Sequence, residues 1–297
     1  MKKKLRYLKQ HKLEAAAYAV MTLISLAIIL PFILLIGSSL TDEIAILRYG
    51  YNFIPREFSL NAYRYLWANI SAIGRGYALT VMVTVVGVSL SLITTSLLAY
   101  PLSRDDLPGV KVFMFLVLIT MLFNGGTVPS YLVWTRIFHI KNTIFAYIFP
   151  GLLLNGFNVF LMRSYFRTSI PPSVRESAEI DGASEFAIYL KIILPLSMPI
   201  MATVGLVVGL MYWNNWANGL YFITNPNLYT IQVILQNIIQ DIQFLTSSMF
   251  AGMIQGSVPG TTVRMAIATI ATLPVLIIYP FFQKYFVKGI TIGAVKG

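Results

Sequence analysis

Five stretches of the chain stay apolar for long enough to cross a bilayer, which takes about 20 consecutive, mostly apolar residues. They fall within 15–40, 77–102, 112–135, 142–162 and 265–283, and none contains an Asp or Glu. Residues 192–240 carry no charge at all, too long a run for one crossing. Pro195 and Pro199 open that run, and Trp213, Asn214, Asn215 and Trp216 turn it polar, so the pattern places a further span at about 196–216. That makes six transmembrane helices and an all-α membrane protein. Residues 242–263 are also uncharged but hold Thr246, Ser247, Ser248, Gln255, Ser257, Pro259 and Gly260. Burying that many polar groups in lipid is costly, so this segment is expected to be mostly loop, with a broken or re-entrant segment as the alternative. Residues 41–76 mix aromatic and charged positions and predict a short surface helix near 60–69. Residues 230–242 alternate apolar positions with glutamines and Asp241 at helical spacing, as a helix lying on the membrane or facing a partner would.

Composition agrees. The 297 residues are 57% hydrophobic and 11% charged, with a mean hydropathy of +0.73; soluble domains carry about 25% charged residues. The net charge of +11 is spread over the ends of apolar runs, a pattern of membrane orientation rather than of nucleic-acid binding. With six spans and a cytoplasmic N-terminus, the inner segments hold 15 Lys and Arg and the outer segments 7. That asymmetry fits the positive-inside rule with both termini cytoplasmic. Residues 1–14 form a basic N-terminus. The uncharged run 15–41 exceeds the apolar core of a signal peptide, so a retained anchor is expected, followed by one transmembrane domain over 15–297. The absence of cysteine excludes disulfides and thiolate chemistry. No phosphate loop of the form G-x-x-x-x-G-K-[ST] occurs. His11 and His139 have no evident converging partners, so no metal, cofactor or catalytic group is assigned to this chain. Proton-coupled carriers usually keep an intramembrane carboxylate, which weighs against a secondary carrier, although sodium sites can be built from carbonyls.

One polar segment, 163–199, interrupts the apolar blocks. Pro171 and Pro172 stop a helix, and Ser173 with Glu176 has the spacing of a capping box for the next. Gly182 breaks that helix, and a second helical run leads to Pro195. The result is an acidic helix–glycine–helix elbow over 171–195. Its spacing resembles the cytoplasmic signature of ABC importer permeases: Glu176-Ser177-Ala178, then Gly182, then nine residues to Ile192, with Leu194 and Pro195 closing it. Ser177 in place of the family's first Ala is the one departure. The resemblance implies a type I ABC importer permease fold in the bacterial cytoplasmic (inner) membrane. In the family the elbow docks on a separate ATPase and transmits its motion. Glu176, Ser177, Ala178, Glu179, Asp181, Gly182, Ile192, Leu194 and Pro195 would then be the coupling residues.

The C-terminus, 286–297, resembles the tail of the smaller permease in maltose-type carbohydrate systems, and there the tail lies at the ATPase interface. Phe123 to Gly126 with Pro129, and Trp213 to Trp216, resemble the branch associated with oligo- and polysaccharides. Sugars offer apolar ring faces and hydroxyl edges, which aromatic and amide side chains can both meet. On that ground Asn124, Asn155, Asn158, Tyr212, Trp213, Asn214, Asn215, Trp216 and Asn218 are candidates for the substrate path. Interfacial anchoring and helix packing are the alternatives for the same residues. The resemblance further implies an ABC ATPase dimer that binds ATP and Mg, a second permease subunit, and an extracytoplasmic solute-binding protein. The permease pair is commonly a heterodimer, with a homodimer as the alternative. Outer loops would touch the binding protein, 217–262 above all. A permease for a peptide, lipid or polyamine, and a secondary carrier or membrane-embedded enzyme, are the competing functions.

Overall fold

The computed structural model describes residues 2–68, 70–247 and 260–294. In chain order its helices are α1 (Lys2–Ser39), α2 (Glu43–Tyr49), α3 (Asn61–Ala68), α4 (Ile70–Leu102), α5 (Val110–Leu122), α6 (Thr127–Leu132), α7 (Phe145–Ile148) and α8 (Gly156–Ser169). They continue with α9 (Pro172–Ile180), α10 (Glu185–Ile188), α11 (Leu194–Leu196), α12 (Met198–Trp213), α13 (Trp216–Phe222), α14 (Ile231–Ser247) and α15 (Gly260–Ala294). The chain divides into two units, 1–70 with 237–273, and 71–236 with 274–297.

In the first unit, α1 is 38 residues long, or about 57 Å at 1.5 Å per residue. Tyr18, Met21, Leu23, Leu26 and Ile28 are all more than half exposed, as side chains solvated by lipid would be. The predicted surface helix near 60–69 is present as α3. The helix α2 was not legible in the pattern. Asp42 caps it, accepting from the Ile44 N–H at 3.0 Å. Its first residue, Glu43, accepts from the Thr261 and Thr262 N–H groups, both at 2.8 Å, and from the Thr262 hydroxyl at 2.7 Å. A carboxylate therefore caps the N-terminus of α15, where orphan N–H groups and the helix dipole favour it.

The second unit is built on α4, 33 residues that cross 77–102 as expected. Its core holds Val83, Tyr147, Val159, Met162, Ile188, Val204 and Val208. α5 and α12 both pack on α8, and α13 packs on α7. The Tyr212 ring lies against Gly87 so closely that a Cβ there would sit 2.6 Å from it.

Two predicted spans are not single helices. In 112–135, α5 ends at Leu122, Phe123 to Gly126 intervene, and the chain resumes as α6 and a π-turn at a bend of 111°. In 142–162, α7 is one turn long, Pro150 and Gly151 (φ +74°) break the run, and α8 starts only at Gly156. Among the described residues three helices are long and apolar enough to cross a membrane, or up to five if each bent pair is one span. Within 242–263, residues 242–247 and 260–263 are helical; the rest of that predicted loop lies outside the described residues. So do the side chains of 1–13 and of the 286–297 tail.

Candidate functional site

The elbow begins at Pro171 as expected, but its first helix starts two residues earlier than a Ser173 cap would place it. Pro171 occupies the N-cap and Pro172 the first helical position of α9, where a missing N–H costs nothing and φ is already helical. Ser173 therefore falls inside the first turn, and the expected capping box with Glu176 does not form. The far end of α9 follows the local chemistry closely. Gly182 has φ +78°, its N–H bonds to the Glu179 carbonyl, and the Ala183 N–H bonds to the Ala178 carbonyl, each at 3.0 Å. This is a Schellman turn with glycine in the left-handed position. Ser184 then caps α10.

Past α10 the helix widens into a π-turn over Tyr189–Ile193 before Leu194-Pro195-Leu196. Pro195 has no N–H to return to the preceding turn, and a π-turn is one way to absorb that. The bend into α12 falls at Ser197 and measures 78°. Ser197 is fully buried, and its hydroxyl donates to the Ile193 carbonyl at 2.6 Å.

One face of the elbow is buried through Ala178, Ile188, Tyr189 and Ile193. The Tyr189 and Ser96 hydroxyls bond at 2.7 Å, tying this face to α4. The opposite face is exposed. It carries Glu176, Ser177 and Asp181 beside Ile180, 86% exposed, and Phe186, 62% exposed. Exposed apolar and acidic groups side by side suit a protein partner better than water alone. Ile192 and Leu194 are half-buried, and Pro195 is exposed.

Glu179, also exposed, is held within the chain instead. It pairs with Arg175 at 3.1 Å and with Arg104 at 3.9 Å. Arg104, in the loop after α4, also pairs with Asp106 and Glu185. Arg175 reaches Asp106 at 3.3 Å, and Arg167 reaches Asp105 at 2.9 Å. Hydrogen bonding to Arg104 holds the Asp106 carboxyl well below the usual carboxylate range. The same bond pushes the Arg104 guanidinium higher still. Beside this network lies a hollow of about 320 Å³ lined by residues of the α4–α5 loop, α8 and α9. None of Arg104, Asp106 and Glu185 was singled out from sequence. The signal was there, in the charge run 104–106 and an acid just beyond Gly182.

The candidate path residues are placed less freely than their polarity suggests. Asn155 caps α8, accepting from the Phe157 N–H at 2.9 Å and the Asn158 N–H at 3.4 Å. Asn158 is buried. Asn215 caps α13 and donates to the Tyr147 carbonyl at 3.3 Å. Asn218 donates to the Pro150 carbonyl at 3.0 Å, and Tyr212 to the Ile148 carbonyl at 2.8 Å. Trp213 is buried, with its ring 6.3 Å from that of Tyr77. Asn214, Asn124 and Trp216 are exposed, although Asn214 donates to the Leu210 carbonyl at 3.0 Å and Asn124 accepts from the Gly126 N–H at 2.9 Å.

Residues 107–292 match the family described as the inner membrane component of binding-protein-dependent transport systems. YtcP, the permease protein of the polygalacturonan/rhamnogalacturonan transport system of Bacillus subtilis (strain 168), is 37% identical over 293 residues, covering 98% of this chain and 100% of the relative. LplC of the same organism is 34% identical over 269 residues, covering 91% and 90%. A crystal structure of a bacterial ABC transporter involved in the import of the acidic polysaccharide alginate superposes with a TM-score of 0.79 at 32% identity, covering 92% of this chain and 96% of the solved one. The fold is thus the all-helical one of type I ABC permeases. A family match that runs through both broken spans and the whole elbow, with relatives aligned nearly end to end, makes this chain a multi-pass inner-membrane permease of the binding-protein-dependent ABC importer family.

Proposed function

We propose that this chain is one of two permease subunits of an ATP-driven importer for an oligo- or polysaccharide. Both termini and the elbow lie in the cytoplasm, and six membrane crossings carry the chain between them. Two partner ATPases bind ATP and Mg and grip the elbows. Their closure draws the elbows together, and the spans rock between inward- and outward-facing states. The exposed acidic and apolar face around Gly182, held on a rigid turn, is the observation that carries this reading. Cargo is assigned from the relatives: YtcP is named for polygalacturonan and rhamnogalacturonan, and the solved neighbour for alginate. A binding protein outside the membrane delivers the sugar, and the chain itself hydrolyses nothing.

Affinity purification from native membranes tests the assembly. An ATPase, a second permease and a binding protein should co-purify, and purified chain alone should move no solute. Uptake by the chain alone would favour a secondary carrier. Because the chain has no cysteine, single engineered thiols at Ile180 and Phe53 can fix the orientation. Ile180 should label only from the cytoplasmic side and Phe53 only from outside. Labelling of Ile180 from outside would overturn the orientation, and with it the coupling role.

A further inference from the structure

We infer that Arg104 is a positioning residue that clamps the elbow to the end of α4, so that motion taken up at the elbow reaches α4 as well as α12. This rests on the coupling role proposed above and adds a second route to it. Chain connectivity alone joins the elbow only to α8 and, past the Ser197 bend, to α12. Arg104 sits two residues beyond α4 with a side chain only 12% exposed. It holds Glu179 on one side of the Gly182 turn and Glu185 on the other, and is itself oriented by Asp106.

One guanidinium thus spans both arms of the elbow. Its planar fork can serve several carboxylates at once in a way an ammonium cannot. The apolar side of the same joint reinforces it. Tyr100 of α4 packs its ring 5.5 Å from that of Tyr189 and donates its hydroxyl to Glu185 at 3.2 Å. Without Arg104, Glu179 would keep Arg175, but Glu185 would keep only the Tyr100 hydroxyl.

The test uses the complete importer in proteoliposomes, with a labelled oligogalacturonide as probe. Uptake and ATP hydrolysis are measured together. In parallel, spin labels on engineered cysteines at Ser173 and Pro108, both exposed and outside the network, report the distance between the elbow and the α4–α5 loop that carries Arg104. The wild type should give one narrow distance, with and without ATP. R104Q should broaden it and lower uptake per ATP hydrolysed by about tenfold, a loss expected for removing charge-assisted bonds. R104K, which keeps the charge and loses the fork, should fall between the two. If R104Q does not assemble, R104K alone decides: a distance and coupling ratio equal to wild type overturn the clamp. Gly182→Trp is the control. If it uncouples while R104Q does not, the clamp is wrong and the coupling role stands. If neither uncouples, the coupling role itself falls.

Discussion

Replacing Gly182 separates two ways in which the elbow could fail. The residue sits at φ +78° at the C-terminus of α9. A Cβ built there meets nothing within 4 Å inside this chain. Gly182→Ala therefore costs only the backbone penalty of an L-residue in the left-handed region, about 1–2 kcal/mol, or roughly a 5- to 30-fold shift toward opened turns. Asn tolerates that conformation better than Ala, so Gly182→Asn should lose less. Gly182→Trp carries the same backbone cost and also places a ring on the exposed face. The partner ATPase would have to accommodate that ring. With uptake per ATP hydrolysed as the assay, coupling should fall in the order Gly, Asn, Ala, Trp, while membrane insertion and yield stay level. An Ala variant as impaired as Trp would mean that the turn matters and the facing surface does not. Full uptake by the Trp variant would refute the lever outright.

The remaining predictions concern stability and pH. Glu43→Ala should destabilise the first unit by about 2 kcal/mol, since it removes a charged acceptor from three donors at the start of α15; thermal unfolding in detergent reads this directly. Asn155→Ala removes the cap of α8 and should cost about 1 kcal/mol without changing which sugars are taken up. Asn218→Ala leaves the Pro150 carbonyl without its side-chain donor and should cost about 1–3 kcal/mol; altered sugar preference at unchanged stability would instead mark Asn218 as a solute contact. The Asp106 carboxyl is held below its ordinary value. Its contribution is therefore full above the ordinary value of about 3.9 and fades only as pH falls through the lower folded value. The distance between Ser173 and Pro108 labels should therefore show no change from Asp106 between about pH 5.5 and about pH 8, where that carboxylate stays charged.

What could be seen in the sequence was what local chemistry decides. Gly182, the acids around it and the proline stops mark the elbow because turns and caps depend on a few adjacent residues. The cap falls two positions before Ser173, because Pro172 takes the first helical position and leaves Pro171 as the cap. The Arg104 clamp was not visible, since Glu185 lies 81 residues further along and nothing local announces the pairing. Hydropathy also located the apolar stretches but treated each as one helix.

The breaks within those stretches follow a different rule from hydropathy. Non-helical backbone at membrane depth persists only where its polar groups find partners inside the protein. Around Pro150 they do, and the donors come from far along the chain. The carbonyls of Tyr147, Ile148 and Pro150 accept from Asn215, Tyr212 and Asn218, between 64 and 68 residues away. Those of Leu152 and Leu153 accept from Ser91 and Thr94 of α4, at 3.4 and 3.2 Å. Amide-rich runs beside tryptophan look the same in sequence whether they face a sugar or mend a broken helix. Here Asn215, Asn218 and Tyr212 each give a donor to backbone. A sugar meeting this chain would therefore find fewer uncommitted amides than the sequence offers: Asn124 and Asn214 are exposed, yet each side chain already bonds to backbone.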